Sequence, residues 1–100
     1  MTPEGRVKKQ VTDILRKVGA WWFMPVQTGY GKAGVPDILA CYKGRFIAIE
    51  TKATQANKPT KLQEIQLDGI SKAGGLALVI HAGNIEELVD ALGGVDADCG

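Results

Sequence analysis

The sequence predicts one α/β domain, a mixed four-stranded sheet between helices in the order α-β-β-β-α-β-α. Three observations predict it. Two short apolar runs rich in β-formers, Ile38 to Tyr42 and Phe46 to Ile49, are separated only by a Lys43-Gly44 turn signal, so they read as a hairpin. Both faces of that hairpin are apolar, with Leu39, Cys41, Phe46 and Ala48 on one and Ile38, Ala40, Tyr42, Ile47 and Ile49 on the other. A sheet of this kind expects helices above and below it. Finally, a capped helical stretch leads into the fully apolar Leu76 to Ile80, a strand-helix-strand unit that suggests parallel pairing to the hairpin's second strand.

Length and composition bound the rest. One hundred residues make one domain, and 45% hydrophobic with 23% charged residues is ordinary globular composition. No apolar run approaches the roughly 20 residues of a membrane span and no signal-peptide pattern opens the chain, so a cytoplasmic setting is expected. Cys41 in a strand and Cys99 in the tail are expected to be reduced, structural thiols. The net charge of +1 hides an asymmetry: residues 1–83 carry all 12 basic and 6 acidic residues, and residues 84–100 carry 5 acidic and no basic ones. A basic working face suits a polyanion. The domain is expected over residues 1–94, with 95–100 an acidic, flexible tail.

Along the chain, Thr2 and Pro3 open a helix as N-cap and first helical residue, and Gly19 ends it after Val18. Val7, Val11, Ile14, Leu15 and Val18 form its apolar stripe. Arg6, Lys8, Lys9, Arg16 and Lys17 lie off that stripe, either as a solvated face or as one that contacts phosphates. Trp21 to Val26 reads as a strand closed by Pro25, with both faces covered or one meeting a partner chain, and the two tryptophans expected in the core. Gln27 to Gly34 is glycine-rich but lacks the spacing and the Ser or Thr of a phosphate-binding P-loop. It is either a plain connection or a loop closing on a phosphate backbone through Tyr30 and Lys32. Thr60 to Gln63 fits a capping box for a helix whose apolar face is expected to be Leu62, Ile65, Gly69, Ile70 and Ala73, ending at Gly74-Gly75. His81 at the end of the last strand reads as structural. Asn84 to Glu87 fits another capping box, opening a helix to about Leu92 with Ile85, Leu88, Val89 and Leu92 inward.

The hairpin carries the chemistry. If Tyr42 faces Arg45, facing residues have numbers that sum to 87, and Asp37 falls opposite Glu50. Opposed strand residues have Cβ atoms about 5 Å apart. Two carboxylates there repel by roughly 3 kcal/mol at an effective dielectric of about 20. A divalent cation converts that repulsion into binding. Lys52, two residues past Glu50, lies on the same strand face and sets an ammonium beside the pair. Two carboxylates for a hard metal plus one lysine is a layout for phosphodiester hydrolysis. The plain alternative is a pair of solvated charged strand ends.

Pro36-Asp37 followed by Glu50-Thr51-Lys52 resembles the pattern of the PD-(D/E)XK nucleases. The wider string, Gly34 to Asp37, Phe46 to Lys52, Pro59 to Gln63 and Gly74-Gly75, resembles the VRR-NUC (virus-type replication-repair nuclease) branch from about Glu4 to Ile80. The resemblance implies a restriction-endonuclease-like fold and a stand-alone, phage-type member acting in a bacterial cytoplasm. It implies hydrolysis of DNA with Mg²⁺ or Mn²⁺ held by Asp37, Glu50 and the Thr51 carbonyl, with Glu4 reaching toward the metal or a bound water. Lys52 would orient the attacking water and stabilise developing charge, and Gln63 would position Lys52. Lys32, Tyr30, Lys58, Lys61 and Arg6 are the expected DNA contacts. Stand-alone members look like four-way-junction resolvases, which implies a homodimer on branched DNA. The competing readings are a nucleic-acid-binding module without catalysis and an assembly subunit that uses its acidic tail.

Overall fold

In the computed structural model, residues 1–26 and 31–93 are described. The elements are α1 (Pro3–Val18), β1 (Trp21–Phe23), β2 (Ile38–Tyr42), β3 (Arg45–Thr51), α2 (Lys61–Lys72), β4 (Leu76–Ile80) and α3 (Ile85–Ala91). Lys43 and Gly44 take φ of 49° and 79°, the paired positive values of a primed two-residue hairpin turn. That turn sets the register: Tyr42 faces Arg45, and the pairs run to Ile38 opposite Ile49. The sheet order is β1-β2-β3-β4, antiparallel except for the parallel β3–β4 pair. The expected order of elements and the mixed four-stranded sheet are therefore present.

One face of the sheet holds the core. Ile38, Ala40, Ile47, Ile49 and Ile80 meet Val7, Val11 and Leu15 of α1 and Leu88 and Leu92 at α3. α1 has the caps its sequence asks for. The Thr2 hydroxyl accepts from the Gly5 N–H at 3.0 Å, and Gly19 turns out of the helix at φ 81°.

The other face departs from expectation. α2 packs on β4 and β3, and nothing among the described residues covers the same face of β1 and β2. Trp21 is therefore 63% exposed rather than in the core, and Phe23, Phe46 and Cys41 are also exposed. Trp22, on the opposite face, is half-buried beneath the Arg16 guanidinium, 5.5 Å from the ring centroid. Cys41 is thus a free surface thiol and not a packed one; Cys99 lies outside the described residues. The strand at Trp21 ends at Phe23, ahead of Pro25.

α2 is also rotated relative to its apolar pattern. Leu62 and Ile65 are 52% and 54% exposed, while Gln63, Gln66, Leu67 and Ile70 turn toward the protein. Gly69 and Ala73 are exposed, and no neighbour approaches Gly69. The reason is at the helix start, where Gln63 is held by two polar partners described below, and a helix fixed at residue 63 presents 66, 67 and 70 to the same side. At α3 the expected capping box does not form. The Asn84 side chain instead accepts from the His81 N–H at 2.7 Å, so it staples the preceding turn.

Candidate active site

Asp37, Glu50, Lys52 and Gln63 come together at the end of the β2–β3 hairpin. Register continued one step past Ile38 and Ile49 sets Asp37 against Glu50. Asp37 sits just outside β2, and one of its oxygens, Oδ2, accepts from the Thr51 N–H at 3.0 Å and from the Thr51 hydroxyl at 2.8 Å. Among the described residues its other oxygen takes no hydrogen bond. In an extended strand a residue's N–H and C=O point to the same edge, so the Thr51 carbonyl also faces the Asp37 side. The Lys52 N–H points the other way, to the Ile80 carbonyl at 2.9 Å.

Glu50 is 2% exposed, a charged residue in the interior. Its Oε2 meets the Lys52 ammonium at 3.2 Å, and its Oε1 is buried with no hydrogen-bond partner among the described residues. Burial first, and then the negative charge of Asp37, push its carboxyl up to about 7, against the opposing pull of Lys52. Lys52 in turn donates to Gln63 Oε1 at 3.1 Å. The same Gln63 oxygen accepts from the Thr60 N–H at 2.8 Å, and the Thr60 hydroxyl accepts from the Gln63 N–H at 3.2 Å. Gln63 therefore closes the α2 capping box and holds the lysine with one oxygen.

This donor set fits a hard divalent ion. A buried, unpaired carboxylate oxygen is costly and calls for a partner. Glu50 Oε1, the free oxygen of Asp37 and the Thr51 carbonyl are all hard oxygen donors. Among the described residues no three His, Cys, Asp or Glu side chains gather, so protein carboxylates supply only part of a coordination shell. Such a site suits Mg²⁺ or Mn²⁺, which retain waters and take substrate oxygens.

Glu4 sits in the first turn of α1 and pairs with Lys8 at 3.3 Å. The charges that perturb Glu50 are those of Asp37 and Lys52. Arg6, Lys32, Lys58 and Lys61 are exposed, while Tyr30 lies outside the described residues.

Two participants escape sequence reading. The Thr51 hydroxyl orients Asp37, whereas the sequence singles out only the Thr51 backbone carbonyl. Gly34 packs its backbone against the start of α2. A Cβ there would lie 2.5 Å from the Leu62 carbonyl carbon and 2.8 Å from the Gln63 nitrogen, and φ is 76°. Gly34→Ala is therefore expected to destabilise the protein by about 2 kcal/mol or more, through overpacking and backbone strain together. Urea unfolding measures it, and an unchanged midpoint would show that the loop yields freely.

No protein-family profile matches the chain, and no curated protein resembles it closely enough to count as a relative. A solved structure titled "VRR_NUC domain" superposes with a TM-score of 0.78 at 24% identity, over 90% of this chain and 97% of that one. The chain shares the VRR_NUC fold. In this chain the VRR_NUC fold places Asp37, Glu50 and Lys52 at one end of its hairpin.

Proposed function

We propose that this chain is a divalent-metal-dependent DNA endonuclease that cuts branched DNA, four-way junctions above all, as a homodimer. The observation that carries the nuclease reading is Glu50: a buried carboxylate with one oxygen unpaired, next to Asp37 and bridged by Lys52 to Gln63. Lys52 meets only one of the two Glu50 oxygens. Asp37, Glu50 and the Thr51 carbonyl would hold Mg²⁺ or Mn²⁺, which supplies a nucleophile at neutral pH and polarises the phosphoryl oxygen. Thr51 keeps the Asp37 carboxylate in one orientation. Lys52, gripped by Glu50 and Gln63, is positioned to orient the attacking water and to meet the charge that builds on the phosphate. Glu4, paired with Lys8 through one oxygen, would support the metal or a bound water. Arg6, Tyr30, Lys32, Lys58 and Lys61 provide phosphate contacts.

Plasmid nicking in Mg²⁺, with an EDTA control, tests the reaction. Cleavage of labelled junction, flap, single-stranded and blunt duplex DNA tests the selectivity. A module that binds DNA without cutting it is the competing reading, and the complete Asp37, Glu50 and Lys52 set disfavours it. α3, with Glu86, Glu87 and Asp90, packs on the core face of the sheet. The catalytic side chains point to the other face, which keeps this acidic helix off the DNA.

The uncovered sheet face supports the dimer. Trp21 faces Cys41, and Cys41 faces Phe46, in one row across three strands; Phe23 and Leu39 follow in the next. With Leu62 and Ile65 on α2, the exposed apolar side chains amount to on the order of 500 Å². That is a large share of the ~800 Å² per partner in a standard interface. The row itself contains no lysine or arginine, so an apolar surface fits it better than a phosphate backbone. A two-fold axis matches such a patch to itself. Light scattering at micromolar concentration is expected to give about twice the 10.7 kDa chain mass. Trp21→Glu is expected to return a folded monomer, because Trp21 is exposed within the chain. A wild-type monomer that cuts flaps and linear ends as well as junctions would refute the dimer and leave the nuclease assignment standing.

A further inference from the structure

A cleft of about 340 Å³ lies between the end of β4 and the segment leading to α2, lined by Gln55, Asn57, Lys58, Pro59, Val79 and His81. Its position follows from register. Val79 pairs with Glu50 in the parallel β3–β4 ladder, so the two side chains share a sheet face. His81 lies two residues beyond Val79, level with Lys52. The cleft therefore adjoins the row of Glu50 and Lys52 on the side away from Asp37.

The wall that carries His81 is built. Asn84, 9% exposed, accepts from the His81 N–H at 2.7 Å and donates to the Val79 carbonyl at 2.9 Å and to Glu87 at 3.1 Å. The Gly83 N–H donates to His81 Nδ1 at 3.0 Å, which puts the proton of the neutral ring on Nε2. A Cβ on Gly83 would lie 3.2 Å from that ring, so the close approach favours glycine. The turn thus fixes a hydrogen-bond donor at the cleft. Lys58 is exposed and has no acidic partner among the described residues.

We propose that this cleft receives one unstacked nucleotide next to the bond that is cut. The inference rests on the nuclease reading. The volume is at the small end of ligand sites, about 300–1,000 Å³, and too small for a duplex. Val79 and Pro59 offer apolar surface to a base, and Gln55 and Asn57 offer amides to its edge. Lys58 meets the attached phosphate and His81 Nε2–H donates to an acceptor on the base. A base can enter only where it is unpaired or easily unstacked, as at a branch point. The site thereby selects for branched DNA within one subunit.

The test uses the wild-type chain, His81→Ala, His81→Gln and Gln55→Ala, with circular dichroism to confirm folding. Substrates carry an abasic residue at each nucleotide flanking the cut in turn. The wild type is expected to show KM raised about tenfold at one position, the scale of losing a buried nucleotide's hydrogen bonds. His81→Ala is expected to raise KM by a similar factor on the intact substrate, with kcat within about twofold, and to show no further loss on the abasic one. His81→Gln, which keeps an N–H donor, recovers part of the loss. If His81→Ala does not fold, the same non-additivity for Gln55→Ala, at the exposed amide assigned to the base edge, carries the test. Losses that multiply, or an abasic residue tolerated at every position by a wild type that cuts normally, overturn the cleft and leave the nuclease standing. A wild type that cuts none of these substrates removes the nuclease reading and this inference with it.

Discussion

Glu50→Gln is expected to abolish cleavage while making the metal-free protein more stable at about pH 8. Both effects come from the same buried carboxylate. Its folded-state value of about 7 lies above the 4.5 of an ordinary glutamate, so between those values the folded protein holds more of the proton than the unfolded chain does. Stability therefore falls as pH rises through this window. The penalty is absent below about pH 4.5 and complete above about pH 7, where it reaches roughly 3 kcal/mol. The substituted amide carries no charge and escapes it, less the cost of finding partners for its N–H groups. Asp37→Asn is expected to be equally inactive, because its amide oxygen can keep the two Thr51 hydrogen bonds while the second charge is lost. Melting curves at about pH 5 and pH 8, with and without Mg²⁺, check the account. The wild type is stabilised by the metal most at the higher pH, and both variants lose that response along with divalent binding in calorimetry. Cleavage that persists in excess EDTA would sink the metal model.

Lys52→Ala is expected to slow cleavage by on the order of 10² or more at saturating metal, the loss of one positioned donor in the transition state. Metal binding is largely kept, since the oxygen donors remain. The same substitution removes the group that holds the Glu50 carboxyl down, so the pH at which metal loads moves upward. Gln63→Ala separates position from charge. The ammonium stays but loses its 3.1 Å anchor, so the rate falls less than in Lys52→Ala, and loss of half the capping box costs about 1 kcal/mol. If Lys52→Ala instead destroys metal binding and leaves the rate at saturating metal unchanged, Lys52 is only the ion-pair partner of Glu50.

Much of this molecule was decided locally and was therefore legible in the chain. Thr2, Pro3 and Gly19 bound α1 because an N-cap hydroxyl and a positive-φ glycine act within four residues of themselves. Lys43-Gly44 determined the hairpin register because a two-residue turn leaves no freedom between its strands, and that register alone set Asp37 against Glu50. Gln63 reads from the chain as the capping partner of Thr60 and, through the resemblance alone, as a neighbour of Lys52, and one oxygen serves both.

What only the tertiary structure decided depends on which surfaces meet. Of the apolar face expected for α2, Ile70 turns inward beside Leu67, but Leu62, Ile65 and Gly69 turn out, because the side that faces the protein also carries the polar grip on Gln63 and the contact with Gly34. Trp21 and Cys41 look like core residues in sequence, yet a single helix of 12 residues over β3 and β4 leaves that face of β1 and β2 uncovered among the described residues. The Asn84 capping pattern was spent on the turn that carries His81, because a side chain can satisfy only the backbone group that packing brings to it. The depth of Glu50 has the same origin. Its sequence position marks it as a ligand, but its raised pKa comes from burial in β3, between β2 and β4 with α2 packed on that sheet, and from the charge of Asp37.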